Sequence, residues 1–367
     1  MKILIIAPLP PPMSGNALPV KILYEELKKE NDVEVINLNK TKRQPCVISF
    51  NRILQILIVL KEVWKKQKKQ DVVYLTIAES FLGNIRDMII YLICRARLQS
   101  MIIHMLGGAG MRNILNNGKG PRFLSNKLFL SRLGGIIAEG MNQFEMFSKA
   151  ASPSRIHVIP NFAEMHIFVT REEISDNFNK FYPLRILFLS NMLYGKGHIE
   201  LLDSYLKLDE KLREKIEIDF AGEVVFQSDE KYFSLIIGKH NNIKCHGPVS
   251  GLNKKRMYAQ AHIYCLPTYY PYEGQPFCIL EAYASGCAVI TTNHSGIGDI
   301  FTDGINGYEV EKRSVDSLVF ALEKAIKQRD NLRNMAINNL RLAKEKYTQS
   351  RFIESMKQAI GSLNVLH

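Results

Sequence analysis

The sequence predicts an α/β protein made of two parallel sheets, each wrapped by helices. Three observations carry this. Short apolar, often β-branched runs alternate with helical stretches in both halves of the chain, as strand–crossover–strand units do. At 367 residues the chain is long for one hydrophobic core and suits two. Glycine and proline are spread as punctuation between the runs, with no internal repeat and no low-complexity tract.

Residues 3–7 are an apolar β run and read as the first strand. The run is too short, and lacks the small-residue cleavage site, for a secretory signal. A proline-rich loop follows and ends at Gly15. A helix over 17–30 places Val20, Leu23, Tyr24 and Leu27 on one face, and Val33–Leu38 alternates as a second strand. Residues 50–70 read as a helix with a broad apolar face from Ile53 to Leu60. Val63, Trp64 (the only tryptophan) and the basic run Lys65-Lys-Gln-Lys-Lys69 come next. Two readings stand here. The face packs on a sheet and the lysines sit at the cation-favouring helix end, or residues 53–69 make peripheral membrane contact.

Asp71–Thr76 reads as a strand, 84–97 as a helix and Ser100–Met105 as a strand. The turn Leu106-Gly-Gly-Ala-Gly110 lacks the G-x-G-x-x-G spacing of a dinucleotide site. Residues 111–132, broken by Asn116-Asn-Gly-Lys-Gly-Pro121, read as a mobile loop between short helical pieces, a place where an acceptor could be recognised. Gly135–Ala138 is a short strand, and 163–183 a polar linker. In the second half Leu184–Ser190 is a strand. Asn191 follows, and then Lys196 between two glycines ahead of a helix from about His198. A glycine-flanked lysine at a strand-to-helix turn can meet a diphosphate; taken alone it is equally an ordinary surface residue. Glu217–Ala221, Asn242–Cys245 and Ile263–Pro267 are strands, Leu252–Ala261 is a helix, and helices over 315–328, 331–346 and 347–362 close the chain.

The most informative stretch is Glu273-Gly-Gln-Pro-Phe-Cys-Ile-Leu-Glu281, running on through Ala-Tyr-Ala-Ser-Gly286 into Cys-Ala-Val-Ile-Thr-Thr292. It reads as a loop, a helix of about three turns, a glycine stop and a buried strand from Cys287 to Ile290. Pro276 suits the first helical position. The N–H groups of Phe277 and Cys278 would then open the helix, unpaired and at the positive end of its dipole, where anions and phosphates above all are bound. Neither flanking glutamate attracts a phosphate, but each could hold hydroxyls. A carboxylate beside a phosphate-binding helix start therefore suggests a nucleotide or nucleotide sugar. On the residues alone, Glu281 also reads as a solvated helix residue and Glu273 as a loop charge.

The string E-G-x-P-x-x-x-L-E-A-x-A-x-G-x-x-V-I resembles the signature of the retaining GT-B glycosyltransferases, glycosyltransferase family 4 (glycosyl transferases group 1). The resemblance implies a GT-B fold, two Rossmann-like parallel-sheet domains facing across a cleft. Residues 1–165 plus 350–367 would be the acceptor-side domain, with the C-terminal helix crossing back, and 166–349 the nucleotide-sugar-binding domain. Glu281 would hold the nucleotide ribose, and Glu273 would lie by the donor sugar and its phosphates. Lys196 would face the leaving diphosphate. His104, at a strand end with Gly107 close behind, would contact the donor sugar. Gly15, Asn191, Gly274, Phe277 and Cys278 complete the implied donor site. Asn191 stands where the family usually has arginine. Val158-Ile-Pro-Asn161 is similar to the segment that closes the family's first domain, and Asn293–Gly298 to its G-G-x-x-E/D turn.

The implied reaction moves a sugar from a nucleotide donor, UDP-linked rather than GDP-linked, to a hydroxyl of a growing or lipid-linked glycan. A nucleotide-sugar epimerase of the same fold and an inactive partner subunit remain alternatives. No D-x-D triplet occurs, so neither a metal nor another cofactor is expected. No run of eighteen apolar residues predicts a transmembrane helix. The six cysteines include no C-x-x-C pair, several sit in predicted core strands, and they read as reduced, buried thiols of a cytoplasmic protein, which would work at or near the inner face of the membrane. The net charge of +12 is uneven: residues 1–170 hold 23 basic against 12 acidic side chains. A basic half can face an anionic membrane, a nucleic acid or a phosphorylated substrate. It equally reads as a solubilising surface, and no nucleic-acid partner is expected.

Overall fold

The computed structural model describes residues 1–11, 15–39, 50–78, 80–225 and 227–363. Cys46 and the middle of the proline-rich loop lie outside them. The chain divides into two compact units. The first comprises Met1–Pro160 with the described residues from Ser350 on, and the second Asn161–Gln349.

The first unit holds six strands: β1 (Lys2–Ala7), β2 (Asp32–Asn37), β3 (Val72–Thr76), β4 (Met101–His104), β5 (Gly135–Ala138) and β6 (Ile156–Val158). All pair in parallel, in the order β2-β1-β3-β4-β5-β6. Ile5 lies opposite Val35 on one side and Tyr74 on the other. Parallel strands need crossover helices, and those helices cover both faces. That is why β1, β3, β4 and β5 are continuous apolar runs: Ile3, Leu4, Ile5, Ile6, Ile102 and Ile103 are fully buried. Each such side chain is stabilised by about 1.5–3 kcal/mol relative to exposure. The last helix, Gln349–Gly361, belongs mostly to this unit, where Lys357 donates to Glu26 at 3.1 Å.

The second unit repeats the plan with β7 (Leu184–Leu189), β8 (Ile216–Ala221), β9 (Ile243–Cys245), β10 (Ile263–Leu266), β11 (Ala288–Thr291) and β12 (Gly307–Glu309), in the order β12-β11-β10-β7-β8-β9. Its strand order reverses between β7 and β10. In open parallel sheets the crevice outside the carboxyl ends at such a reversal is where ligands bind. The corresponding reversal in the first unit lies between β1 and β3.

Several expectations need correction. The helix after Pro276 covers Phe277–Ala284, eight residues and not three full turns, and Pro276 is its cap, with extended backbone. Gly286 does end it, with φ +66, and a Cβ there would lie 2.3 Å from Ile174. The short helical pieces expected within 111–132 are the helices Ala109–Asn117 and Gly120–Leu130, and the loop between them is only Gly118 and Lys119, shorter than the expected break at 116–121. The expected polar linker contains a helix, Arg171–Asn179, opened by a reciprocal capping box. Thr170 accepts from the Glu173 N–H at 3.2 Å, and the Glu173 carboxylate accepts from the Thr170 N–H at 2.6 Å. Helices Met141–Ser148 and Gln227–Ile237 were not anticipated. Cys245 is an exposed thiol, whereas Cys94, Cys265 and Cys287 are buried.

The apolar side chains of the helix Phe50–Lys66 divide between core and surface, with Val59 and Leu60 packed partly against the core. Val63 is buried, but Ile53, Leu54, Leu57, Ile58 and Trp64 are exposed, and the Lys68 ammonium stands 5.6 Å from the Trp64 ring centroid. No helix among the described residues is long and apolar enough to cross a membrane.

Candidate active site

The loops after β7 and β10 meet at the strand reversal of the second unit. Lys196 sits between Gly195 (φ +92) and Gly197 (φ +87), left-handed conformations that an L side chain resists. The turn also lies against the end of β10: a Cβ on Gly197 would stand 2.5 Å from Pro267. The Tyr269 N–H donates to the Gly195 carbonyl at 2.7 Å and ties the two loops together.

This turn carries Lys196 onto Glu273. Its ammonium donates to both carboxylate oxygens, at 2.7 and 3.0 Å, and Thr268 donates its hydroxyl to Glu273 Oε2 at 2.9 Å. The two side chains are 12% and 8% exposed, so the pair is largely desolvated. The Tyr270 ring lies 4.8 Å from the ammonium. The Glu273 loop is pinned from two further sides. Asn161 donates its backbone N–H to the Gln275 side chain at 2.7 Å and its side-chain amide to the Gln275 carbonyl at 2.8 Å. Gly296 approaches so closely that an added Cβ would be 2.8 Å from the Gly274 carbonyl oxygen.

Phe277 and Cys278 open the helix Phe277–Ala284, and the Phe277 ring packs edge-on against Phe162 at 5.4 Å. Burial pushes the Cys278 thiol up to about 11, with Glu273 adding to the effect, so it stays protonated at neutral pH. Asn191 follows β7 and accepts at its carbonyl from the Leu193 N–H at 2.9 Å.

Glu281 is no solvated helix residue: it is 3% exposed. Lys254 donates to its Oε1, and the Tyr258 hydroxyl to its Oε2 at 3.2 Å. Both donors stand one turn apart on the helix Gly251–Gln260. Lys254 also contacts Glu164 at 3.4 Å. Burial pushes the Glu281 carboxyl up, against the pull of Lys254. Burial would lower Lys254, but Glu281 and Glu164 outweigh it and hold the lysine above its usual range. Lys254, Tyr258, Glu164 and Thr268 were not singled out from the sequence. Lys254 and Tyr258 at i, i+4 share a helix face, but nothing local named a carboxylate 27 positions on as their partner.

His104 and Gly15 belong to the first unit. His104 ends β4, fully buried, with Nδ1 2.7 Å from the Tyr74 hydroxyl and Nε2 without a hydrogen-bond partner among the described residues. Burial lowers its pKa to about 3, so the ring is neutral. Gly15 is exposed ahead of the helix Ala17–Leu27, and a Cβ there would meet open space.

A strand reversal, a lysine–carboxylate pair, a helix start and a buried glutamate thus converge in the second unit, and residues 170–342 match the family described as Glycosyl transferases group 1. The second unit carries a glycosyltransferase domain. An uncharacterized glycosyltransferase of Methanocaldococcus jannaschii is 27% identical to this chain over 143 residues. The chain spans 35% and 14% of the length of the first two curated relatives it matches. Anabaena HepE, solved in complex with UDP, superposes with a TM-score of 0.73 at 16% identity, covering 99% of this chain and 100% of that one. WaaG, a glycosyltransferase involved in lipopolysaccharide biosynthesis, gives 0.70 at 14% identity over 98% and 100%. With its two parallel-sheet units, the chain has the GT-B fold.

Proposed function

We propose that the protein is a retaining glycosyltransferase of family 4 that uses a nucleotide sugar, UDP-linked, as donor. The observation that carries this is the Lys196–Glu273 pair beside the Phe277 helix start, within a glycosyltransferase domain. The diphosphate would be met by the N–H groups of Phe277 and Cys278 and by the Lys196 ammonium, which stabilise the negative charge that grows as it leaves. Lys196 has three N–H donors and gives two of them to Glu273, which orients it. Glu281 would take the ribose hydroxyls, with Asn191 and Gly274 at the donor's approach. The relative solved with UDP supports a uridine donor.

Glu273 is held by an ammonium and a hydroxyl, which makes it a poor nucleophile. This favours transfer on one face of the sugar without a covalent intermediate. Residues 1–165 with the last helix would serve the acceptor, and 166–349 the donor. The acceptor we propose is a hydroxyl of a lipid-linked or growing glycan in cell-envelope polysaccharide assembly, on the cytoplasmic side. A membrane-embedded acceptor suits the exposed apolar side chains and lysines of residues 53–69.

The test is a donor screen by mass spectrometry, with calorimetry of UDP and GDP. Release of UDP from one UDP-sugar, with a product anomer matching the donor's by NMR, supports the reading. Binding of neither nucleotide would overturn it. Turnover of donor to an isomeric donor without acceptor would replace transfer with epimerisation.

A further inference from the structure

We propose that Lys254 is a positioning residue for the nucleotide: it holds Glu281 as an oriented carboxylate whose remaining lone pairs accept the ribose hydroxyls. This rests on Glu281 as the ribose site. The geometry supports it in three ways. First, each Glu281 oxygen already takes one donor, Lys254 on Oε1 and Tyr258 on Oε2. A carboxylate offers about four acceptor positions, so one remains on each oxygen, a spacing that suits two vicinal hydroxyls. Second, Glu281 is 3% exposed, and a carboxyl so placed tends to take up a proton. A neutral carboxyl has to donate its own proton and accepts more weakly, so an adjacent cation is what keeps the group an acceptor. Third, Lys254 lies between two carboxylates, Glu281 and Glu164. The trio carries one net negative charge, which attracts hydroxyl donors and turns phosphate away, toward the helix start at Phe277.

The ionisable groups around Glu281 fit this assignment. Lys254 and Tyr258 face it from the helix Gly251–Gln260, Glu164 from the segment before Met165, and Tyr264 of β10 and Cys278 of its own helix lie close by. Burial raises Tyr258, Tyr264 and Cys278, all of which therefore keep their protons. Lys254 is the cation among them.

The experiment measures UDP and 2′-deoxy-UDP affinity by calorimetry across about pH 5.5 to 8, on the full chain and on Lys254→Met and Lys254→Arg. The ratio of the two affinities isolates the 2′-hydroxyl and cancels the titration of the phosphate. The wild type should prefer UDP by about tenfold at every pH, one charged hydrogen bond's worth. In Lys254→Met the preference should shrink toward unity at low pH and return as pH rises, because Glu281 must now ionise without its partner. Lys254→Arg should restore a flat profile. If Lys254→Met does not fold, Lys254→Gln, which keeps a donor and removes the charge, takes its place. A wild-type-like, flat preference in the Met or Gln variant overturns the role of Lys254 alone. A wild type that does not distinguish the two nucleotides, or binds neither, overturns the ribose reading and this inference with it.

Discussion

Among single residues the two charged clusters of the second unit predict different phenotypes. Lys196 is bonded to both oxygens of Glu273, so its charge is largely balanced until a diphosphate develops negative charge beside it. An interaction that strengthens toward the transition state appears in turnover. Lys196→Ala should therefore lower kcat more than it raises donor KM, and steady-state kinetics with near-normal kcat would place the diphosphate elsewhere. Glu281→Ala acts in the ground state. It should weaken UDP binding about ten- to a hundredfold with little change in kcat; calorimetry beside a melting curve separates this from unfolding. His104 predicts a pH effect on stability. Burial lowers its pKa from 6.5 to about 3, so the unfolded chain binds its proton more readily within that window. The stability it contributes is present above about 6.5 and is lost as pH falls toward 3. His104→Gln should flatten that part of the stability–pH curve in urea titrations.

Helices and turns carry predictions of another kind, about what the site stands on. The turn Gly195–Gly197 owes its shape to two left-handed residues set against the end of β10. Gly197→Ala adds a Cβ 2.5 Å from Pro267 to a strained backbone, which costs at least about 1–2 kcal/mol. The melting temperature should drop by some degrees, and because Lys196 must shift, activity should drop more than stability explains. The capping box of the helix Arg171–Asn179 is a control. Thr170→Ala should cost about 1 kcal/mol and leave UDP affinity unchanged.

For the whole molecule the open matter is where it works. Unit one holds all the excess positive charge of the sequence and an exposed apolar strip at Ile53, Leu54, Leu57, Ile58 and Trp64. Each basic group near an anionic surface contributes about 1 kcal/mol, screened over about 10 Å at 0.1 M salt. Flotation with anionic vesicles should therefore carry the protein at low salt and release it at high salt. Trp64→Ser with Leu57→Ser should weaken flotation, since the apolar contribution is lost. No flotation at low salt would make a soluble acceptor the better proposal.

Much of this was legible in the residues. Alternating apolar runs announced two parallel sheets, because strands buried on both faces must be apolar throughout and joined by crossovers. The string from Glu273 to Ile290 announced a loop, a helix, its glycine stop and a strand, since each depends on local backbone preferences, but it overstated the helix at about three turns where eight residues form it. The capping box at Thr170 and Glu173 was equally local, although the segment reads at first as a polar linker. What the residues could not disclose is pairing at a distance. Lys196 and Glu273 are 77 positions apart, and Lys254 and Glu281 are 27 apart. Whether a charge is solvated or buried against a partner depends on which loops the strand order brings together. Likewise Ile53, Leu54, Leu57, Ile58, Val63 and Trp64 are all apolar on paper. Only packing decides that Val63 is covered while Leu57 and Trp64 are left to solvent, because burial is a property of the neighbours a side chain acquires and not of the side chain itself.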